Sequence, residues 1–244
     1  MPRSLLGRLT LAVLGLALLP RPVLAGANEH ALLHQLLAEK RPDGSKITRY
    51  LVRHFPEVQR NSAQSAHVVE GFTIGRHHER VLETYLRQRR HFPLERLAGS
   101  SGVDVAKTFK LVLALHDIGK HVERSQAIPD RQPTLRILSD VMARSGFSAG
   151  EARLARALIS HDLIGDLARK RISVDEAFAA LSCKASDAGM GARDFFRLQL
   201  FFNTVDGGSY PWLASHAFSR KHGELLPTSP AIRALAERFG APVE

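Results

Sequence analysis

The stretch running up to Leu115 constrains this chain more than any other, because it is apolar almost all the way round a helix. With a helix predicted over residues 104 to 117, Phe109, Val112, Leu113 and Leu115 cover most of its circumference. A helix without a polar stripe cannot lie on a surface, so other helices must surround it. The run Leu111-Val112-Leu113-Ala114-Leu115 then leads directly into His116-Asp117-Ile118-Gly119-Lys120. An imidazole, a carboxylate and a cation are thereby delivered to the end of a buried helix. His116 offers a borderline nitrogen ligand and Asp117 a hard oxygen ligand, a pair suited to a divalent cation. The helix C-terminus carries partial negative charge and unpaired carbonyls, which also favours a cation there. Gly119 is read as the residue that ends the helix.

Two further segments are predicted to end in the same way. Glu151 to Ser160 runs into His161-Asp162 with Gly165 just after, and Asp194 to Val205 runs into Asp206 followed by Gly207-Gly208. Upstream, Gly75-Arg76-His77-His78-Glu79-Arg80-Val81-Leu82 begins or lies within an amphipathic helix. Ligands this far apart in sequence suit a site inside a bundle, where facing helices supply one or two residues each. The bland alternative, a hydrogen-bonded His-Asp pair in a core, leaves the repeated helix ends unexplained.

This succession of a His, a His-Asp pair and a distant Asp on consecutive helices resembles the HD-domain metal-dependent phosphohydrolase superfamily, over roughly residues 71 to 210. The following Arg80-Val81 selects His77 over His78 as the first ligand, and Ile118-Gly119-Lys120 continues the signature pair in the family's manner. The resemblance implies an all-α fold, a single multi-helix bundle with the metal site in its core between helix ends. It implies that His77, His116, Asp117 and Asp206 hold a divalent ion (manganese, iron, cobalt, magnesium or zinc), with His161 available to a second. The Gly-Tyr-Pro element and extra histidines of the cyclic-dinucleotide phosphodiesterases are missing, which favours one ion over two. Asp117 would also orient or deprotonate a water, and Lys120 would stabilise developing charge on a phosphoryl group. The expected reaction is hydrolysis of a phosphoester or phosphoanhydride, in a nucleotide or another small phosphorylated substrate, by hydroxide generated on the metal. His121 and Arg124 would extend a substrate-binding rim, with exposed charges on a turn as the equal alternative. Arg80 would bind substrate or, slightly favoured, form a structural ion pair. Asp162 and His78 point about 100 degrees away from the ligands beside them, so they are expected behind the site or in solvent. The alternative function is a noncatalytic module of the same fold that binds a phosphorylated ligand or a partner protein.

The chain has 244 residues and is 44% hydrophobic, enough for one substantial core. Its beginning stands apart. Arg3 and Arg8 precede an apolar stretch from Leu9 to Leu19, and Val23-Leu24-Ala25 precedes Gly26. This reads as a secretory signal peptide over residues 1 to 25, since the apolar run is too short to span a bilayer and Pro20 and Pro22 interrupt any extension. The rival is an uncleaved membrane anchor beginning near Leu5. The expected organisation is then signal peptide (1–25), N-terminal helical extension (26–65) and HD-type domain (66–244), in an exported protein. Cys183 stands alone and allows no intramolecular disulfide. Net charge is +10, and loss of Arg3, Arg8 and Arg21 leaves 31 basic residues against 24 acidic ones, or +7. That balance favours anionic partners, nucleic acid among them though not preferred.

Elsewhere the pattern is helical, with further helices expected over 29–40, 46–54, 76–91, 134–145, 193–206 and 230–239 and no strand alternation. Ser148-x-x-Glu151 and Ser173-x-x-Glu176 fit capping boxes that start two more. The two glycines of His67 to Gly75 either present amides to an anion or form a tight turn. His30 and His34 lack the Glu of a metalloprotease helix and are read as packed or solvated, and Cys183 has no base beside it.

Overall fold

The computed structural model describes residues 30–66, 72–97, 102–126, 131–210, 218–221, 224–227 and 229–241. The predicted signal segment and His67 to Gly71 of the two-glycine loop lie outside the described residues. Helix follows helix: α1 (Ala31–Ala38), α2 (Gly44–His54), α3 (Pro56–Ser62), α4 (Ile74–Gln88), α5 (Val105–Leu115), α6 (Lys120–Ser125), α7 (Gln132–Arg144), α8 (Ala149–Ile159), α9 (Leu163–Ala168), α10 (Val174–Asp187), α11 (Ala192–Gly207) and α12 (Pro230–Arg238). Among the described residues one pair of antiparallel strands, β1 (Phe218–Lys221) with β2 (Glu224–Pro227), precedes α12. The all-α class is as expected, and the strand pair is an addition that no alternation in the sequence announces.

The helices begin where side chains can satisfy their first amides. Asp43, Thr73 and Asp104 accept from the backbone N–H groups of Lys46, Arg76 and Lys107, capping α2, α4 and α5. Both predicted capping boxes are present, with Ser148 and Glu151 at α8 and Ser173 and Glu176 at α10. The short helices α3, α6 and α9 were not foreseen. In α3, Pro56 occupies the first turn, where its fixed φ is already helical.

Central α5 is buried from Thr108 to Leu115 and packs against α1, α2, α4, α7 and α8. Its one interior cation, Lys110, has a local purpose. The ammonium donates to the carbonyls of Leu37 (2.5 Å) and Glu39 (3.0 Å), the unpaired acceptors at the end of α1. Burial pulls Lys110 below the usual lysine pKa, an effect that nearby carboxylates only partly counter. The N-terminal helices therefore join the main core, in which Leu33 and Leu37 are buried together with Leu111 and Phe195. His34 likewise packs, its Nε2 lying 2.6 Å from the Ser145 carbonyl, and His30 stacks on Phe55.

Gly119 departs from its expected role. Helix α5 ends at Leu115, and residues 116 to 119 form a turn into α6 with Gly119 at φ −94. Glycine is needed there because a Cβ would lie 2.3 Å from the Thr134 nitrogen and 2.8 Å from Pro133 Cβ. The turn carrying His116 and Asp117 is pressed against the start of α7, and the Gly119 N–H donates to Thr134 Oγ1 at 3.0 Å. Thr134 Oγ1 passes its own hydrogen to Glu123 Oε1 at 2.6 Å, fixing α6 against α7.

Candidate metal centre

Three helix ends meet beside this turn. His77 comes from the first turn of α4, His116 follows the last residue of α5, and Asp206 lies in the last turn of α11. The Nε2 atoms of His77 and His116 are 3.1 Å apart, and Asp206 Oδ1 lies 3.1 Å from the first and 3.2 Å from the second. These donors form a nearly equilateral triangle. For metal bonds of about 2.1 Å, donors at right angles lie about 3.0 Å apart and tetrahedral donors about 3.4 Å. The triangle fits one face of a coordination sphere, so His77, His116 and Asp206 form a cluster that could hold a metal ion. Asp117 Oδ2 stands next to it, 3.6 Å from His77 Nε2 and 3.8 Å from His116 Nε2.

The hydrogen bonds behind the rings aim their lone pairs inward. His116 Nδ1 lies 3.1 Å from the Leu113 carbonyl, which can only accept, so Nδ1 carries the hydrogen and a neutral ring presents a bare Nε2. His77 Nδ1 faces Ser209 Oγ at 3.3 Å, which allows the same tautomer. Tyr210 stacks on His77 with centroids 4.7 Å apart and brings its hydroxyl within 3.3 Å of Nε2. Phe202 meets the His116 ring edge-on at 5.3 Å. Two buried lone pairs and a partly exposed carboxylate facing one another favour positive charge between them. Without a cation a proton serves: burial works against it, but Asp117 and Asp206 outweigh burial and hold His116 above the ordinary histidine pKa.

Asp117 is buried and ionised. Burial alone would raise its pKa, yet His116, Lys120 and Arg131 together hold it far below the usual carboxylate range. Lys120 Nζ donates to Oδ2 at 2.5 Å, and Arg131 Nη1 lies 3.8 Å from Oδ1 while reaching the His116 carbonyl at 3.4 Å. Asp206 is partly exposed and, against the opposing effect of desolvation, is likewise held well below its ordinary value, chiefly by His116.

His78 lies behind the site, as expected. It accepts a hydrogen bond from the Asp117 N–H at 3.4 Å, and burial, with His116 and His77 alongside, pushes its pKa well below the ordinary value. It is therefore neutral and orients the turn. Among the described residues Arg80 forms no ion pair of the favoured kind: its guanidinium lies over the Phe72 ring, 5.4 Å from the centroid, and Phe72 in turn contacts His77. Both rim candidates lie on α6, His121 half-buried and Arg124 exposed. Asp162 caps α9 by accepting from the Gly165 N–H. His161 is not brought into the cluster. It is 45% exposed, and its Nε2 faces Asp166 at 3.0 Å.

Sequence reasoning missed Arg131, Ser209 and Tyr210. Arg131 is a non-glycine residue at φ 52, one position before α7, and nothing in its neighbours marks it. Ser209 and Tyr210 follow Gly207-Gly208 directly, so their nearness to Asp206 was the available signal. Comparison with protein-family models, with curated proteins and with solved structures returns no match in any of the three.

Proposed function

We propose that the chain is a metal-dependent phosphohydrolase of the HD type, cleaving a phosphoester or phosphoanhydride bond in a nucleotide or another small phosphorylated substrate. The observation that carries this reading is the donor triangle of His77, His116 and Asp206, with an ionised Asp117 beside it. Two imidazoles in the set favour a first-row transition ion such as manganese, iron, cobalt or zinc over magnesium. When bound, such an ion supplies Lewis acidity to a phosphoryl oxygen and makes a neighbouring water acidic near neutral pH.

The chain's own residues do the rest. Asp117, kept ionised by Lys120 and Arg131, accepts the hydrogen of a water and orients it. Lys120 and Arg131 both flank Asp117, one at each carboxylate oxygen, so phosphoryl oxygens brought beside it would gain preformed positive contacts as charge develops. Ser209 and Leu113 fix the ring orientations, and the Phe202, Phe72 and Tyr210 rings keep bulk water from His77 and His116. Export of the protein rests on the Arg3/Arg8 start and the Leu9 to Leu19 run, and determining the mature N-terminus tests it. Among the described residues no helix is long and apolar enough to cross a membrane.

The test is a panel of nucleotides, phosphomonoesters and phosphodiesters, assayed with manganese and with chelator. Turnover that requires the metal and disappears in Asp117→Asn supports the proposal. A metal-loaded, folded protein with no turnover on any phosphate class would replace it with a ligand-binding module.

A further inference from the structure

A cleft of about 470 Å³ opens where the start of α7 meets α8 and α10, walled by Gln132, Arg153, Arg156, Ser160, Lys184 and Asp187. Arg153 and Arg156 are three positions apart on α8 and so share a face, and Lys184 joins them from α10. Their positive charges are not neutralised in pairs. Among the described residues none of the three forms an ion pair: Arg156 reaches only the Ser139 hydroxyl at 3.5 Å, and Lys184 reaches the Ala157 carbonyl at 3.4 Å and Ser160 Oγ. Three cations thus face the single carboxylate of Asp187.

The donors are also partly unused. The Lys184 ammonium has three hydrogens and spends two on Ala157 and Ser160, while Ser160, accepting from Lys184, keeps its own hydrogen to give. Two guanidinium forks and the Gln132 amide add planar donors of the kind that match phosphate oxygens. Burial draws Lys184 below the ordinary lysine pKa, against Asp187, so an anion in the cleft would relieve an unfavourable charge. Gln132 directly follows Arg131, so this cleft and the candidate metal centre adjoin through one peptide.

We infer that the cleft between α7, α8 and α10 is a second anion site, separate from the His77/His116/Asp206 cluster, which takes the phosphate or pyrophosphate group of a small molecule. This inference does not depend on the hydrolase reading, because the site needs no metal. The experiment is calorimetric titration of the full chain with inorganic pyrophosphate in the presence of chelator. The expected result is saturable binding that weakens at least about tenfold in the Arg153→Ala/Arg156→Ala double variant. It should be unchanged in Asp206→Asn, and altered less than about twofold in Arg49→Ala/Arg60→Ala, which removes the same charge elsewhere. Absence of saturable binding would overturn it, as would equal weakening in the two double variants, or loss of binding in Asp206→Asn.

Discussion

Two helix ends in this chain carry the same letters, His-Asp with a glycine soon after, and the fold uses them differently. After α5, His116 and Asp117 sit in a buried turn that faces residues from α4 and α11. After α8, Asp162 turns back to cap α9 and pairs with Arg169 at 2.9 Å, while His161 pairs with Asp166 only five residues ahead. The second cluster closes on itself within one short segment, as solvated charges do. The first is completed by residues 39 and 90 positions away in sequence. The lesson is that a ligand pair is made into a site by what distant helices bring to it, and that a pair with local partners has no donors left to offer.

The largest contrast is expected in metal retention and activity. His77→Ala removes a donor from the triangle and should lower metal-dependent turnover on the order of 1,000-fold, about 4 kcal/mol, whereas His161→Ala should stay within about twofold. Parallel kinetics of the two variants check this, and equal losses would erase the distinction between the ends.

Stability should divide the two glycines next. In Gly119→Ala the new methyl meets the backbone of Pro133 and Thr134, which cannot swing aside, so a loss of about 3 kcal/mol is expected. In Gly165→Ala the collision is with the Asp162 carboxylate, the far end of a side chain, and rotation sacrifices only the cap, about 1 kcal/mol. Urea unfolding of both variants measures the difference.

A smaller, pH-dependent effect belongs to the opposite end of α8. Burial pushes the Glu151 carboxyl up, but Lys107 at 2.9 Å and the Ser148 amide outweigh it and hold the pKa below its ordinary value of 4.5. A carboxylate depressed in the folded state contributes stability above its unfolded pKa and loses it as pH falls through the folded one. Glu151→Gln should therefore cost about 1 to 2 kcal/mol at pH 7, with the gap to wild type closing below pH 4.5. A gap that stays constant from pH 7 to pH 3 would assign the loss to packing. The smallest effect is expected from Asp162→Ala, roughly 1 kcal/mol with no change in metal content, measured by unfolding and metal analysis together.

Much of the bundle was legible because its signals are local. The apolar circumference of α5 announced its central position, and Ser148/Glu151 and Ser173/Glu176 announced helix starts through hydrogen bonds within four residues. His77, His116 and Asp206 were legible as donors, and the structure brings them together. Gly119 was legible as special but for another reason, since its close neighbours Pro133 and Thr134 belong to a different helix. Arg131, the stacking of Arg80 on Phe72, and the gathering of cations from α8 and α10 along one cleft depend on tertiary approach, which no spacing along the chain encodes. Helices α6 and α9 span only six residues each, too short for a periodic apolar face to declare itself.

Metal content of the purified full chain, by mass spectrometry after reconstitution with manganese, iron or zinc and removal of excess ion, tests the central claim most directly. Asp206→Asn keeps the size of a partly exposed side chain and removes the charge at one corner of the triangle, so the fold should survive, as circular dichroism can check. The account predicts close to one tightly held divalent ion per wild-type chain, its loss in Asp206→Asn and its retention in His161→Ala. A wild-type chain that retains no ion, or an Asp206→Asn chain that retains it undiminished, would contradict the account.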